Sequence, residues 1–113
     1  MLHEMNLKEK PFKTIKNGSK TVEMRLYDEK RQKIKIGDQI RFNTNFCSET
    51  ILVEVVNLHI CPAFADLYAK FNKVNLGYDE NEPASPEDML DFYPEHEQQK
   101  YGVVGIEIKK IGN

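Results

Sequence analysis

The chain has 113 residues, of which 40% are hydrophobic and 30% charged, and it carries a formal net charge of −2. That is enough chain for its own core without disulfide or metal staples, and the expectation is a single domain over residues 1–113. No apolar run approaches the ~20 residues a membrane helix needs, and the first residues lack the pattern of an export signal, so no membrane partner is expected and the expected compartment is cytoplasmic.

In chain order, Leu2, Met5 and Leu7 predict a short first strand within residues 1–7. Pro11 is expected to open a helix, because proline at the first helical position loses no needed N–H. Phe12 and Ile15 share one face of it, and Asn17-Gly18 closes it, since glycine tolerates the left-handed conformation of a helix C-cap. Residues 20–27 then read as a strand. Side chains alternate along an extended chain, so Val22, Met24 and Leu26 fall on one face and Thr21, Glu23, Arg25 and Tyr27 on the other. Lys20 stands at its entry. The plain reading of this polar face is an exposed edge with a surface ion pair, worth about 0–1 kcal/mol. The sharper reading is a polar site built on one face of a strand whose other face builds the core.

Asp28 to Lys33 reads as a polar loop. Ile34 and Ile36 alternate with lysines before the turn Gly37-Asp38, and Ile40 and Phe42 resume the alternation, so a short strand pair is expected across that turn. Residues 43–48 form a connection containing Cys47. Thr50 to Ile60 is the clearest strand, rich in β-branched residues. Ile51, Val53 and Val55, continued by Asn57 and His59, are expected to face opposite to Leu52, Val56, Leu58 and Ile60. Both faces are mostly apolar, which places this strand deep in the sheet. Cys61 follows; with no CxxC and no histidine cluster, the cysteines read as reduced thiols and no metal site is expected.

Pro62 starts a helix carrying Phe64, Leu67, Tyr68 and Phe71 at helical spacing, an aromatic stripe that reads first as core. Residues 72–84 form a long loop with three acids (Asp79, Glu80 and Glu82), and loops of this length in small domains often serve as lids or binding loops. Ser85-Pro86-Glu87-Asp88 marks a helix start, with Ser85 as cap. Tyr93-Pro94 ends that helix, and one more turn is expected through Gln98. Val103 to Ile111 is the last strand. Strands dominate and helices are short, which argues an α+β fold with a curved or barrel-like sheet and helices packed at its ends. Charge is divided along the chain: residues 1–46 hold 11 Lys/Arg against 6 Asp/Glu, whereas residues 74–99 hold 8 acids and no Lys or Arg. A basic half suits a phosphate-bearing partner.

Pro11-Phe12-x-x-Ile15-x-x-Gly18-x-Lys20-Thr21-x-Glu23-x-Arg25, then Lys35-x-Gly37-Asp38 and the closing strand, resemble the ASCH domain family of the PUA-like superfamily. The resemblance covers most of the chain. It implies a small PUA-like β-barrel with a cleft beside it, and RNA or a modified nucleoside or nucleotide as partner, with no cofactor. Lys20, Thr21, Glu23 and Arg25 match the family's polar motif. As a binding module, Lys20 and Arg25 would hold phosphate or a base edge, Glu23 would accept from an amine or hydroxyl, and Tyr27 would stack on a base. Lys30, Arg31, Lys33 and Lys35 would add phosphate attraction. The resemblance also reaches small amidohydrolases acting on N4-acetylcytidine, which use a lysine, a threonine and a glutamate, and ASCH-like ribonucleases. On that reading Lys20 and Glu23 are the candidate catalytic pair. Lys20 matches the lysine of the amidohydrolases. Glu23 stands where they carry threonine, and their glutamate falls in the region of Asp79, Glu80 and Glu82 without matching one of them.

Overall fold

A computed structural model describes residues 1–112 and builds them around one mixed sheet. The strands are β1 (Leu2–Asn6), β2 (Val22–Leu26), β3 (Gln39–Asn43), β4 (Ile51–Cys61) and β5 (Val103–Gly112). The helices are α1 (Glu9–Lys16), α2 (Phe64–Lys70) and α3 (Glu95–Tyr101), with 3-10 segments at Arg31–Lys33 and Pro86–Asp91. The sheet order is β1-β3-β4-β5-β2, with β1 parallel to β3 and every other pair antiparallel. It curls into a half-barrel, the α+β form expected of a small PUA-like barrel.

Period-two alternation divides the apolar side chains between the two faces of this sheet. Inside the curl lie Met5, Ile40, Phe42, Val53, Val55, Val104 and Ile106, plugged by Phe12 and Ile15 of α1. Outside, Val22, Met24, Leu26 and Val103 pack against Phe64 and Leu67 of α2 and against Leu76 and Met89 from the following segments. Cys47 borders the inner cluster and Cys61 the outer one, and both are free thiols.

Four expectations change. Helix α1 begins at Glu9, so Pro11 lies within its first turn rather than at its start. The cost is nil there, because the first four N–H groups of a helix have no intrahelical acceptor. The expected strand pair around Gly37 is a single strand, β3. Both edges of β3 are already taken by β1 and β4, so Ile34 instead plugs the inner core while Gly37 N–H donates to Val55 O at 2.8 Å. The segment after Ser85 is a 3-10 turn, because only a few residues separate Pro86 from Pro94. Its start is capped as the sequence implies: Ser85 Oγ accepts from Glu87 N–H at 3.2 Å.

The fourth change concerns β4. A register shift between Val55 and Asn57 leaves Val56 without a partner on β5, which is a β-bulge. Alternation is re-phased beyond it. Leu58 packs on the inner core opposite Ile106, while His59 turns to the outer face, where its ring meets Phe71 edge-on at 4.8 Å. Burial along β4 is also incomplete, since Val56 and Ile60 remain exposed.

Residue 105 sets the depth to which α2 seats on the sheet. A Cβ at Gly105 would lie 3.0 Å from Leu67 Cδ2 and 3.2 Å from Val22 Cγ1. Leu67 is fully buried and has nowhere to move. Gly105→Val is therefore expected to destabilise the fold by about 1–3 kcal/mol, read as a lower denaturation midpoint with an unchanged m-value.

Candidate functional site

Strand β2 is an edge strand and, among the described residues, pairs only with β5, Glu23 opposite Ile106 and Arg25 opposite Val104. Its polar face therefore turns toward the interior of the half-barrel, close to α1. Lys20 precedes the strand, in a turn pinned by its N–H donating to Thr14 O at 3.0 Å. These placements bring three charges together. Lys20 Nζ lies 2.7 Å from Glu23 Oε1, and Arg25 Nε donates to Glu23 Oε2 at 2.7 Å. Arg25 Nη2 continues to Asn6 O at 3.0 Å, joining the two edge strands of the sheet. Lys20 is 9% exposed and Glu23 4%, so the group is a buried triad and not the surface pair that the edge position suggested.

Burial works against the charged form of Glu23, but Lys20 and Arg25 outweigh it and hold the carboxyl below its ordinary range. Burial likewise opposes the charge on Arg25, and Glu23 reverses the effect and raises it.

The triad forms the floor of a cleft of about 520 Å³. Lys8 and Lys10 contribute basic groups to its lining, and Asp88 and Asp91 acidic ones. The basic and acidic segments of the sequence thus meet across one opening. Aromatic lining comes from Tyr68, Tyr78, Phe92 and Tyr93. Phe92 is 55% exposed, with Lys8 Nζ 5.2 Å above its ring. Tyr93 stacks on Phe64, and burial pushes its phenol upward.

The long loop is tied down over this floor. Asn75 O accepts from the N–H groups of Thr21 and Val22 at 2.9 and 3.0 Å, Lys73 Nζ donates to Glu82 O, and Glu82 pairs with Lys10 of α1. Gly77, at φ +112°, lies against the Lys20 stem; a Cβ there would approach Lys20 Cδ to 3.0 Å. A second, strongly polar hollow of about 450 Å³ shares Asn6 and Arg25 with the cleft and adds Lys30, Arg31 and Asn43. Asp28 orients Arg31 through its Nη1 at 3.1 Å, and Arg31 Nε is buried without a hydrogen-bond partner among the described residues.

An ASCH domain profile matches residues 5–112. The chain belongs to the ASCH domain family. Its fold is similar to that of the hypothetical protein PH0355, a crystal structure with 36% identity and a TM-score of 0.83, covering 98% of this chain and all of that one. It is also similar to protein PF0455 from Pyrococcus furiosus, a solution structure with 35% identity, a TM-score of 0.74 and 98% coverage of both chains. Comparison with curated proteins finds no match.

Within this ASCH fold, Lys20, Glu23 and Arg25 come together as the motif implies. Thr21 and Tyr27 do not join them at the cleft. Thr21 is held through its backbone, accepting from Ile108 N–H at 2.9 Å, and Tyr27 packs on the inner core. Lys33 and Lys35 are exposed outside both hollows. Of the three loop acids, Glu82 is taken up by Lys10, and none lines the cleft. Tyr68, Tyr78, Asp88 and Tyr93 were not assigned to the site from the sequence: Tyr68 shares the core spacing of α2, Asp88 and Tyr93 read as the start and end of a short helix, and Tyr78 lies in the long loop. Among the described residues no cluster of His, Cys, Asp and Glu suits a metal, and no helix is long and apolar enough to cross a membrane.

The triad has a pH signature. A carboxyl whose folded pKa lies below its unfolded value near 4.5 contributes fully above that value and loses its contribution as pH falls through the folded pKa. Wild type should lose stability in that acid window in urea titrations. Glu23→Gln should be about 3–5 kcal/mol less stable at neutral pH, with two buried cations left uncompensated, and should show a flatter acid limb.

Proposed function

We propose that this ASCH domain binds single-stranded RNA or a nucleotide, holding one unstacked base in the cleft and the adjoining phosphate in the neighbouring basic hollow. The observation that carries this reading is the buried triad at the floor of an aromatic-lined cleft. Two cations share one carboxylate there, so one positive charge is left over for an electron-rich ligand. Lys20 and Arg25 present donors to carbonyl or phosphate oxygens, which make the strongest hydrogen bonds when charge-assisted. Phe92 and Tyr93 offer the flat apolar surfaces on which a splayed base stacks. Arg25, Lys30 and Arg31 extend the basic surface out of the cleft along the path a sugar-phosphate chain would follow.

Hydrolysis of a modified nucleoside or of RNA is the second reading. It is favoured by one observation, the near-complete burial of Lys20 at the cleft floor. It needs Lys20 released from Glu23, whereas binding uses the ion pair as it stands.

Calorimetry with a short single-stranded RNA separates the two readings. Wild type should bind with an affinity that falls as salt rises. Arg25→Ala and Lys20→Ala should each weaken binding about tenfold or more, the value of a hydrogen bond to a charged group. Lys20→Arg should retain most of it, since charge and donors survive. Product detected by mass spectrometry with wild type and lost with Lys20→Arg would replace binding by hydrolysis, because arginine cannot act as a base or nucleophile. Loss of neither binding nor turnover in any of these variants would remove the triad from the site.

A further inference from the structure

Along the cleft runs a chain of three hydrogen-bonding groups that the triad does not use. Tyr68 and Tyr78 hydroxyl oxygens lie 2.6 Å apart, and the Tyr78 hydroxyl lies 2.7 Å from Asp88 Oδ2. The rings meet nearly edge-on at 5.9 Å, so the pair is fixed by packing as well as by hydrogen bonds. Ser85 O is 3.5 Å from the Tyr78 hydroxyl, a much weaker alternative. All three side chains line the cleft.

Proton counting gives this chain a direction. Each phenol has one proton to donate, and a carboxylate has none. The carboxylate is the stronger acceptor, so Tyr78 donates to Asp88. The Tyr78 proton is then committed, and the 2.6 Å contact with Tyr68 must use the Tyr68 proton. The Tyr68 oxygen is left with lone pairs alone. Neither phenol escapes this arrangement by ionising. Burial, the Tyr68 hydroxyl and Asp88 all hold Tyr78 above the ordinary phenol range, and burial raises Tyr68 as well.

We infer that Tyr68 is a fixed hydrogen-bond acceptor in the cleft, and that it selects ligands presenting an amino group over those presenting a carbonyl at the same position. For nucleobases, this means the amino edge of cytosine or adenine in preference to the keto edge of uracil or hypoxanthine. A keto oxygen facing Tyr68 would set lone pair against lone pair, and the hydroxyl could turn to donate only by breaking its bond to Tyr78. Lys20 and Arg25, in the same cleft, supply donors for the ligand's remaining acceptors. The inference rests on the nucleotide-binding reading above and adds to it the class of base.

The test is calorimetry with matched pairs, cytidine against uridine monophosphate and adenosine against inosine monophosphate, with folding of each variant checked by thermal melting. Wild type should prefer the amino member of each pair by about tenfold or more, as buried acceptors do when an analogue leaves them unpaired. Tyr68→Phe should erase the preference by weakening the amino ligands. Tyr78→Phe should narrow it from the other side, because the freed Tyr68 hydroxyl can rotate and donate, so the keto ligands bind more tightly than they do to wild type. A merely structural role would strengthen no ligand. Asp88→Ala returns the Tyr78 proton to Tyr68 and should shift the ratio the same way, giving a second route if Tyr78→Phe does not fold. Equal affinity within each pair for wild type, or a ratio unchanged by these variants while Lys20→Ala still abolishes binding, would overturn the inference and leave the binding reading intact. Failure of all four nucleotides and of single-stranded RNA to bind wild type would overturn both.

Discussion

The buried contact between Glu23 and its two cations is the constraint around which the molecule is arranged. Removing three charges from water costs several kcal/mol for each, and mutual attraction offsets this only when geometry is close and the remaining valences are met. Here both carboxylate oxygens are engaged at 2.7 Å, and the far end of Arg25 finds a backbone carbonyl on the opposite edge of the sheet. One side chain therefore does two jobs. It neutralises a buried carboxylate, and it closes the seam between β1 and β2 that the strand order leaves open. The polar floor of the cleft and the closure of the half-barrel are the same set of bonds.

Around that floor the surroundings are divided by chemistry. The α1 side contributes lysines, the segment after Tyr78 contributes carboxylates, and aromatic rings come from α2 and from Phe92 and Tyr93. Under the proposed reading, a nucleobase meets these surroundings with acceptors, donors and a flat apolar face together. The loop over Lys20 is fixed by hydrogen bonds at Asn75 and Glu82, so the cleft is largely preformed, which limits the ordering cost of binding.

Much of this was legible in the residues because local rules carried it. Alternation in β2 separated the core residues from Glu23 and Arg25 correctly, and the Ser85 cap announced its turn. The family motif brought Lys20, Glu23 and Arg25 together before any geometry was known. What failed depended on partners distant in sequence. Alternation along β4 held only as far as the bulge at Val56, a feature defined by pairing with β5 and invisible in β4 itself. Ile34 and Ile36 carried a strand pattern, but the edges of β3 were already occupied. Tyr27 had the right parity to face the site and went to the core, while of the rings that do line the cleft Tyr68 carries the spacing of a core residue and Tyr78 sits in a loop where no period marks it. The depth of burial at Glu23 was equally illegible, since it depends on α1 and the long loop covering an edge strand.

The pairing of β2 has a consequence for the order in which the molecule assembles. Its sheet neighbour is β5, and the two are separated by most of the chain; Ile108 N–H bonds Thr21 O, and Lys110 Nζ reaches Lys16 O. Contacts of such long sequence separation form late and slowly, because loop-closure entropy is lost before they can compensate for it. During synthesis, the motif that carries the triad leaves the ribosome early yet has no strand to lie against until β5 follows. The nascent chain thus passes through translation with its basic residues unassembled and its cleft absent. The triad and its cleft form only in the finished domain, a form of timing that is written in strand order and not in any single residue.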